Sequence, residues 1–318
     1  MNVNDNLNDN LNDNFNDLIS NITGFSLPYV EINSPLQKIL ASALLKTRLP
    51  STDLSPANLF WDANYFALNH VQLFTEASDL EQSQILQIAN NDLLEEIYWV
   101  EQAGVGYMAK MLLLAETCEE RLLYSLFAAD EATHLSQISP FLGYQPVFTG
   151  DSFLAFMAEV VETDDKALLM TLVQVVLEGW GLSHYRSLAN HCLNPVLTLT
   201  LKGFLEAESR HHATGVTQLK QWTYSPQSLA NIHDALSTFL QMVQVGPQRL
   251  LMAIAKIKGD LSYADKIQIL EELQTEIHSQ KRLDILRSLM TGIIPNSIMQ
   301  KLEDQGSFKP YSAVQCAQ

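Results

Sequence analysis

The chain has no stretch in which apolar and polar residues alternate long enough to require a β-sheet. From residue 34 onward the sequence predicts one helix after another, including one over 226–257, with breaks at proline such as Ser139-Pro140. Gly and Pro are scarce, at 13 and 11 residues, which favours long helices over sandwiches or barrels. Hydrophobic residues make up 47% of the chain, so a large core can be buried. The sequence therefore predicts an all-α fold, with one helical domain over 34–318.

The N-terminal region differs from the rest in its low complexity. Residues 2–17 repeat an Asn-Asp-Asn-Leu theme with few residues able to build a core. Segments of this composition bury too little apolar surface to offset the entropy of ordering. We therefore predict that 1–33 is a disordered arm that carries no chemistry.

Charge and hydropathy exclude several classes of partner. The formal net charge is −17, whereas nucleic acids and anionic membrane surfaces both require a basic surface. The most apolar run, Ala167–Leu177, is too short to span a bilayer and is ended by Glu178. The sequence therefore predicts no nucleic-acid binding and no membrane insertion.

Cysteine usage points to a reducing compartment. Cys118, Cys192 and Cys316 are widely spaced, odd in number and form no Cys-x-x-Cys pair. This pattern favours neither a disulfide framework nor a zinc–thiolate site. The N-terminus shows no basic start followed by an apolar run, so no signal peptide is expected. A cytoplasmic location fits these observations.

Two adjacent helix hairpins, over 92–137 and 165–221, hold the residues of chemical interest. In the first, Thr117 followed by Glu120 predicts a capping box that opens the second helix. In the second, Asn194 followed by proline predicts an N-cap with proline at the first helical position. Each hairpin thus has a turn at a definite position.

Two Glu-x-x-His motifs stand out among the eight histidines. Only His134 and His211 have an acidic residue three positions earlier, at Glu131 and Glu208. Residues three apart on a helix share a face, so that one carboxylate and one imidazole can bind the same metal ion. A single motif of this kind is weak support for a metal site.

A further glutamate precedes each motif by thirty residues. Glu101 stands before Glu131, and Glu178 stands before Glu208. The midpoints of these intervals fall at residues 116 and 193, beside the two predicted turns. Residues equidistant from the turn of an antiparallel hairpin lie at the same height, so each distant glutamate should face its Glu-x-x-His pair.

The two hairpins also match each other at an offset of 77 residues, as an ancient duplication would produce. The alternative is that these are solvated carboxylates and two ordinary core histidines. The apolar neighbours argue against that alternative, because an unpaired buried carboxylate is costly. The matching positions are Glu101/Glu178, Glu131/Glu208, His134/His211, Gly104/Gly181 and Phe127/Phe204.

This pattern resembles the ferritin-like di-iron carboxylate superfamily, in which two helices each give a Glu and two others each give a Glu-x-x-His. The resemblance covers about 92–221 and implies a four-helix bundle with extra N- and C-terminal helices. It also implies two iron ions, or Mn and Fe, since these metals accept mixed carboxylate and imidazole ligands. By this resemblance the bridging ligands are Glu131 and Glu208, the terminal ligands Glu101 and Glu178, and the histidine ligands His134 and His211.

The resemblance also implies a supporting carboxylate. Asp130 precedes Glu131 and is expected to accept the free N–H of His211. The alternative is an exposed helix charge. The matching position, Ala207, is not acidic, and Glu206 is a possible substitute there.

Small and aromatic residues near the ligands are candidates for a pocket. Gly104 and Gly181 lie one turn from the terminal ligands, where they create room for O2 or substrate, or close helix packing. Phe127 and Phe204 wall an apolar pocket or are plain core. A loosened helix is expected around residues 179–181. The aromatic residues near the ligands give no reason to choose a redox partner among Tyr98, Tyr107, Trp180 and Tyr185.

The predicted function is that of a di-iron oxidase or oxygenase that activates O2 and oxidises a small, largely apolar organic substrate. Hydroxylation, desaturation and N-oxygenation are the reactions considered, with an external electron donor as a further partner. The alternatives are a ferroxidase or peroxide-scavenging ferritin-like protein and a non-catalytic helical scaffold. Residues 222–318 carry no readable motif and are expected to form a dimer surface or a lid, so that a homodimer is a further expectation.

Overall fold

The structure is a computed structural model that describes residues 22–31, 33–44, 59–148 and 150–318. These residues contain no strand, which confirms the all-α fold class. The helices are α1 (Pro35–Ala43), α2 (Gln72–Thr75), α3 (Asp79–Leu113), α4 (Cys118–Leu142), α5 (Ser152–Glu162), α6 (Lys166–Leu169), α7 (Glu178–His191), α8 (Pro195–Leu219), α9 (Pro226–Gln244), α10 (Gln248–Lys258), α11 (Tyr263–Glu272), α12 (Thr275–Met290), α13 (Asn296–Asp304) and α14 (Ala313–Cys316). A π-helical segment, Met170–Leu177, joins α6 to α7.

The chain divides into two compact units. This division does not test the prediction of one domain over 34–318, which stays a prediction. Unit 1 comprises the described part of Met1–Pro50 together with Ile97–Pro140 and Tyr144–Lys166. Unit 2 comprises the described part of Ser51–Glu96 together with Phe141–Gly143 and Ala167–Gln318.

Unit 1 is built on the hairpin of α3 and α4. Its turn is fixed by Thr117, whose Oγ1 accepts a hydrogen bond from the Glu120 backbone N–H at 3.1 Å. The Glu120 carboxylate accepts from the Glu116 backbone N–H at 2.7 Å and from Nζ of buried Lys166 at 3.0 Å. The predicted cap is therefore present, although the glutamate reaches one residue further back than in a standard capping box.

A segment before α1 also belongs to unit 1. The Ile22 backbone N–H donates to Glu162 at 3.3 Å, and Thr23 and Phe25 are buried. Gly106 of α3 lies against this segment, because a Cβ there would come within 2.8 Å of the Thr23 Cα. Residues 1–21 and 32 of the predicted disordered arm lie outside the described residues.

Unit 2 is built on a long helical stretch that runs antiparallel to α8. Asn194 caps α8 as predicted, since its Oδ1 accepts from the backbone N–H groups of Val196 and Leu197 at 2.9 and 3.0 Å. The predicted short apolar run belongs to the longer stretch Lys166–His191, which could cross a bilayer by length and composition alone. Of its most apolar window 67% is buried, as in a core helix of a soluble protein.

Some predicted helix ends differ from the structure. The expected break at Ser139-Pro140 is absent, since α4 continues to Leu142 with Pro140 inside its last turn. The predicted helix over 226–257 is instead two helices, because Gly246 adopts φ +80 after α9. A glycine in the left-handed region ends a helix at no steric cost.

Candidate metal centre

In unit 1, the hairpin brings together Glu101, Glu131 and His134, here called the first triad. Their side chains are buried, with residue exposures of 1%, 3% and 4%. Nδ1 of His134 lies 3.0 Å from Oε2 of Glu101 and 4.0 Å from Oε2 of Glu131. Ligand atoms of all three lie within 4.8 Å of one another, close enough for one metal ion. The predicted facing of Glu101 and the first Glu-x-x-His pair is thus observed.

Gly104 makes the space for the Glu131 carboxylate. A Cβ at position 104 would lie 2.9 Å from Cδ of Glu131 and closer still to Oε2. Real Cβ atoms do not make contacts this short, so a side chain at this position would displace the carboxylate. The glycine therefore serves the first triad directly.

In unit 2, the second hairpin brings together Glu178, Glu208 and His211, here called the second triad. Glu208 and His211 are buried at 5% and 0% exposure, and the Glu178 side chain is 9% exposed. Nδ1 of His211 lies 3.4 Å from Oε2 of Glu178 and 3.7 Å from Oε2 of Glu208. The ligand atoms again lie within 4.8 Å of one another, so this triad repeats the arrangement of the first.

The Glu178 carboxylate is in an environment that disfavours its charge. Burial, followed by the neighbouring Glu208 carboxylate, raises the pKa of Glu178 well above its usual value, while His211 acts in the opposite direction. Within the fold, a polar neighbour of its buried Oε2 is Nδ1 of His211, whose 3.4 Å approach lacks good hydrogen-bond geometry. A buried carboxylate oxygen of this kind needs a proton or a cation to compensate it.

Gln174, in the π-helical segment, supports the second triad through the backbone of His211. Nε2 of Gln174, which is fully buried, donates to the backbone carbonyl of His211 at 3.0 Å. Gly215 admits this side chain, since a Cβ there would lie 2.9 Å from Cγ of Gln174. No motif in the sequence marks Gln174, although its position one helical turn before Glu178 on an apolar stretch is a usable signal.

The helix is loosened upstream of Glu178 rather than over 179–181. The π-helical Met170–Leu177 ends at the ligand, and π-helical turns are frequent at functional sites. Gly179 is instead tightly packed, because a Cβ there would lie 2.8 Å from Cε1 of His212 and Cδ2 of Leu289. Nδ1 of His212 is buried without a hydrogen bond.

The remaining predicted residues have varied surroundings. A Cβ at Gly181 would meet nothing within 4 Å, so close packing does not explain this glycine. Phe127 and Phe204 are buried core residues at 3% and 0% exposure. The possible substitute Glu206 points to solvent, with its side chain 86% exposed and 3.3 Å from Arg210.

The supporting role of Asp130 and the formation of one centre by all six ligands stay predictions. Asp130 is half-buried on α4, directly before Glu131. Comparison of the chain with protein-family models, with curated proteins and with solved structures found no match. The chemistry of the site therefore has to be argued from its own residues.

The donor set fits a transition metal that accepts both oxygen and nitrogen ligands. Each triad offers carboxylate oxygens and one imidazole, which suits iron or manganese better than calcium or magnesium. The poorly compensated Oε2 of Glu178 and the glycine space around Glu131 are both features that a bound cation would explain. The described residues thus carry buried Glu and His groups compatible with metal binding.

Proposed function

We propose that the two triads together hold two iron ions and that the protein uses them with O2 to oxidise a small, largely apolar organic substrate. The carrying observation is the repetition of one buried triad, at an offset of 77 residues, in two hairpins of the same chain. A lone triad could arise from ordinary packing. Two equivalent triads, each with its histidine Nδ1 turned towards its glutamates, are better explained by a shared task.

The ligand count supports a dinuclear centre. Each triad supplies two carboxylates and one imidazole, and carboxylates can bridge two metal ions. We assign Glu131 and Glu208 as bridging ligands and Glu101 and Glu178 as terminal ligands, each set completed by its histidine. Bound iron would supply the one-electron redox chemistry that O2 reduction requires.

The chain's own residues would set the conditions for that chemistry. Burial excludes water from both triads, and a dry site strengthens electrostatic interactions and prevents side reactions. Gly104 fixes where the Glu131 carboxylate lies, and Gln174 fixes the backbone that carries His211. The open space beside Gly181, one turn from Glu178, is our candidate for the approach of O2 or substrate.

Iron content tests the metal assignment. The purified chain is loaded with Fe(II) without oxygen, and bound iron is counted per chain for the wild type, E131A and E208A. Both variants should lose metal, because a bridging ligand contributes to both ions. E206A is the matched control, since Glu206 lies on α8 beside Glu208 but faces solvent. Retention of two irons by E131A or E208A would overturn the bridging assignment.

Oxygen consumption tests the choice of reaction. The loaded protein is exposed to O2 with and without candidate fatty acids, hydrocarbons and arylamines. An oxygenase shows O2 uptake and product that depend on the organic compound. A ferroxidase consumes O2 in proportion to added Fe(II) regardless of it, and a scaffold binds no iron at all.

A further inference from the structure

The phenol groups of Tyr29 and Tyr98 form a hydrogen bond of 2.6 Å within unit 1. Tyr98 lies on α3 and is buried at 3% exposure, whereas Tyr29 lies on the segment before α1 and is 54% exposed. The pair therefore joins the interior of unit 1 to the solvent through two phenols.

The hydrogen bonds around Tyr98 favour one direction for its proton. Nε2 of Gln145 donates to the Tyr98 oxygen at 3.4 Å. Either phenol can donate across the pair, and we assign Tyr98 as the donor because its buried hydroxyl then has the Tyr29 oxygen as acceptor, whereas the exposed Tyr29 hydroxyl can donate to water. The Tyr29 hydroxyl is in turn free to exchange its proton with water, since its side chain is exposed.

The surroundings of Tyr98 protect a ring that changes oxidation state. Trp99 packs edge-on against the Tyr98 ring at 5.2 Å, and Phe25 and Phe148 pack against Trp99 at 5.3 and 5.7 Å. These rings exclude water from one side of the phenol. Burial raises the pKa of Tyr98 above its usual value, which disfavours a stable phenolate.

Tyr98 also lies one helical turn before the ligand Glu101. Residues three apart on a helix are neighbours on its surface, with about 5–6 Å between their Cβ atoms. The same turn of α3 therefore carries a ligand of the first triad and a phenol bonded to a surface tyrosine.

We propose that the Tyr29–Tyr98 pair is a redox site that passes single electrons between a soluble one-electron donor and the metal centre. This inference rests on the proposed function. Tyr98 gives one electron to the oxidised metal centre and its phenolic proton to the Tyr29 oxygen, while Tyr29 releases its own proton to water. The Tyr98 radical then takes one electron from the external donor, and the proton returns by the same path. Each cycle moves one electron inward and leaves both phenols unchanged.

A metal-free measurement tests whether the pair is a redox site. The full chain, freed of metal with a chelator, is oxidised by photogenerated ruthenium(III) polypyridyl, and the radicals are frozen for electron paramagnetic resonance. The wild type should give a tyrosyl signal with a proton coupling that disappears in D2O. Y98F should lose that signal. Y29F leaves Tyr98 in place and should give a signal whose exchangeable coupling is reduced to the weak one from the Gln145 amide, formed about tenfold more slowly because one hydrogen bond is lost.

Y263F is the control, because Tyr263 is exposed at 49% and its phenol donates one hydrogen bond, to the carbonyl of Val314 at 3.0 Å. It should leave the exchangeable coupling unchanged. The same coupled signal in Y98F as in the wild type would overturn the redox assignment.

A second measurement tests the link to the metal. While the iron-loaded protein reacts with O2, oxidation of ascorbate is followed optically for the wild type and Y98F, because only the reaction with O2 makes the centre a strong enough oxidant for a phenol. Slower ascorbate oxidation in Y98F at equal iron content supports the relay. Equal rates at equal iron content overturn the relay and leave the metal proposal standing, whereas failure of the wild type to bind iron overturns both.

Discussion

Gly104 lies so close to Glu131 that the methyl group of an alanine would clash with the glutamate side chain, since a Cβ at 104 would lie 2.9 Å from the Glu131 Cδ. We expect G104A to displace the carboxylate and weaken metal binding by about tenfold or more, the usual effect of disturbing the support of a ligand. An isothermal titration with Fe(II) under anaerobic conditions measures this change.

Gly181 provides the matched control, because a Cβ there would meet nothing within 4 Å. G181A should bind iron like the wild type and gain up to about 1 kcal/mol of stability, since alanine is the better helix former. Equal iron affinities for G104A and G181A would show that the space beside Glu131 serves no ligand.

Glu178 should destabilise the metal-free fold, because burial and the neighbouring Glu208 carboxylate disfavour its charge. We expect E178Q, prepared without metal, to be more stable than the wild type by about 1–3 kcal/mol at neutral pH, the cost of an uncompensated buried group. Urea unfolding in the presence of a chelator measures the difference. E206Q, at an exposed site, should change stability little, and a loss of stability in E178Q would refute this account of Glu178.

The gain from E178Q should depend on pH in a definite direction. The folded-state pKa of Glu178 is raised above its unfolded value, so the folded state holds the proton more tightly. Stability from this group is full at pH values below the unfolded pKa and falls as the pH rises through the raised folded pKa. The advantage of E178Q should therefore be small at pH 4 and grow towards neutral pH. A stability gain of E178Q that shrinks as the pH rises would contradict a raised pKa of Glu178 in the folded state.

Gln174 should act on His211 through the backbone, as a positioning residue. Q174L keeps the volume but removes the donor to the His211 carbonyl, so we expect iron affinity to fall by about tenfold. The electronic spectrum of the loaded protein should shift as well, because the imidazole is reoriented. Q227L, at an exposed glutamine of α9, should leave both unchanged. An unaltered spectrum and affinity in Q174L would remove Gln174 from the site.

The ligands of each triad could be predicted from the sequence because helix geometry converts spacing into position. The intervals from Glu101 to Glu131 and from Glu178 to Glu208 place their ends at equal heights once the turns at Thr117 and Asn194 are fixed. Those turns have local signals in the form of capping residues, and both caps are present in the structure. The residues at each turn were therefore sufficient to predict which ligands face each other.

The support of the triads could not be predicted in the same way, because it depends on tertiary packing. Gln174 reaches the His211 carbonyl because Gly215, one turn after His211 on α8, leaves space for its side chain. No periodic pattern in the sequence marks the contact between Gln174 and Gly215. The pairing of Tyr29 with Tyr98 joins a segment that sequence assigned to a disordered arm. The two ends of such contacts are distant in sequence, so only the folded chain identifies them.

We propose above all that the two triads hold two iron ions in one dinuclear centre. Mössbauer spectroscopy of the chain loaded with ⁵⁷Fe and then exposed to O2 tests it most directly. We predict two irons per chain and a spectrum without magnetic splitting at low temperature in a weak field, as two ferric ions coupled through bridging carboxylates would give. Iron at one per chain, or two magnetically independent ferric ions, would contradict the claim.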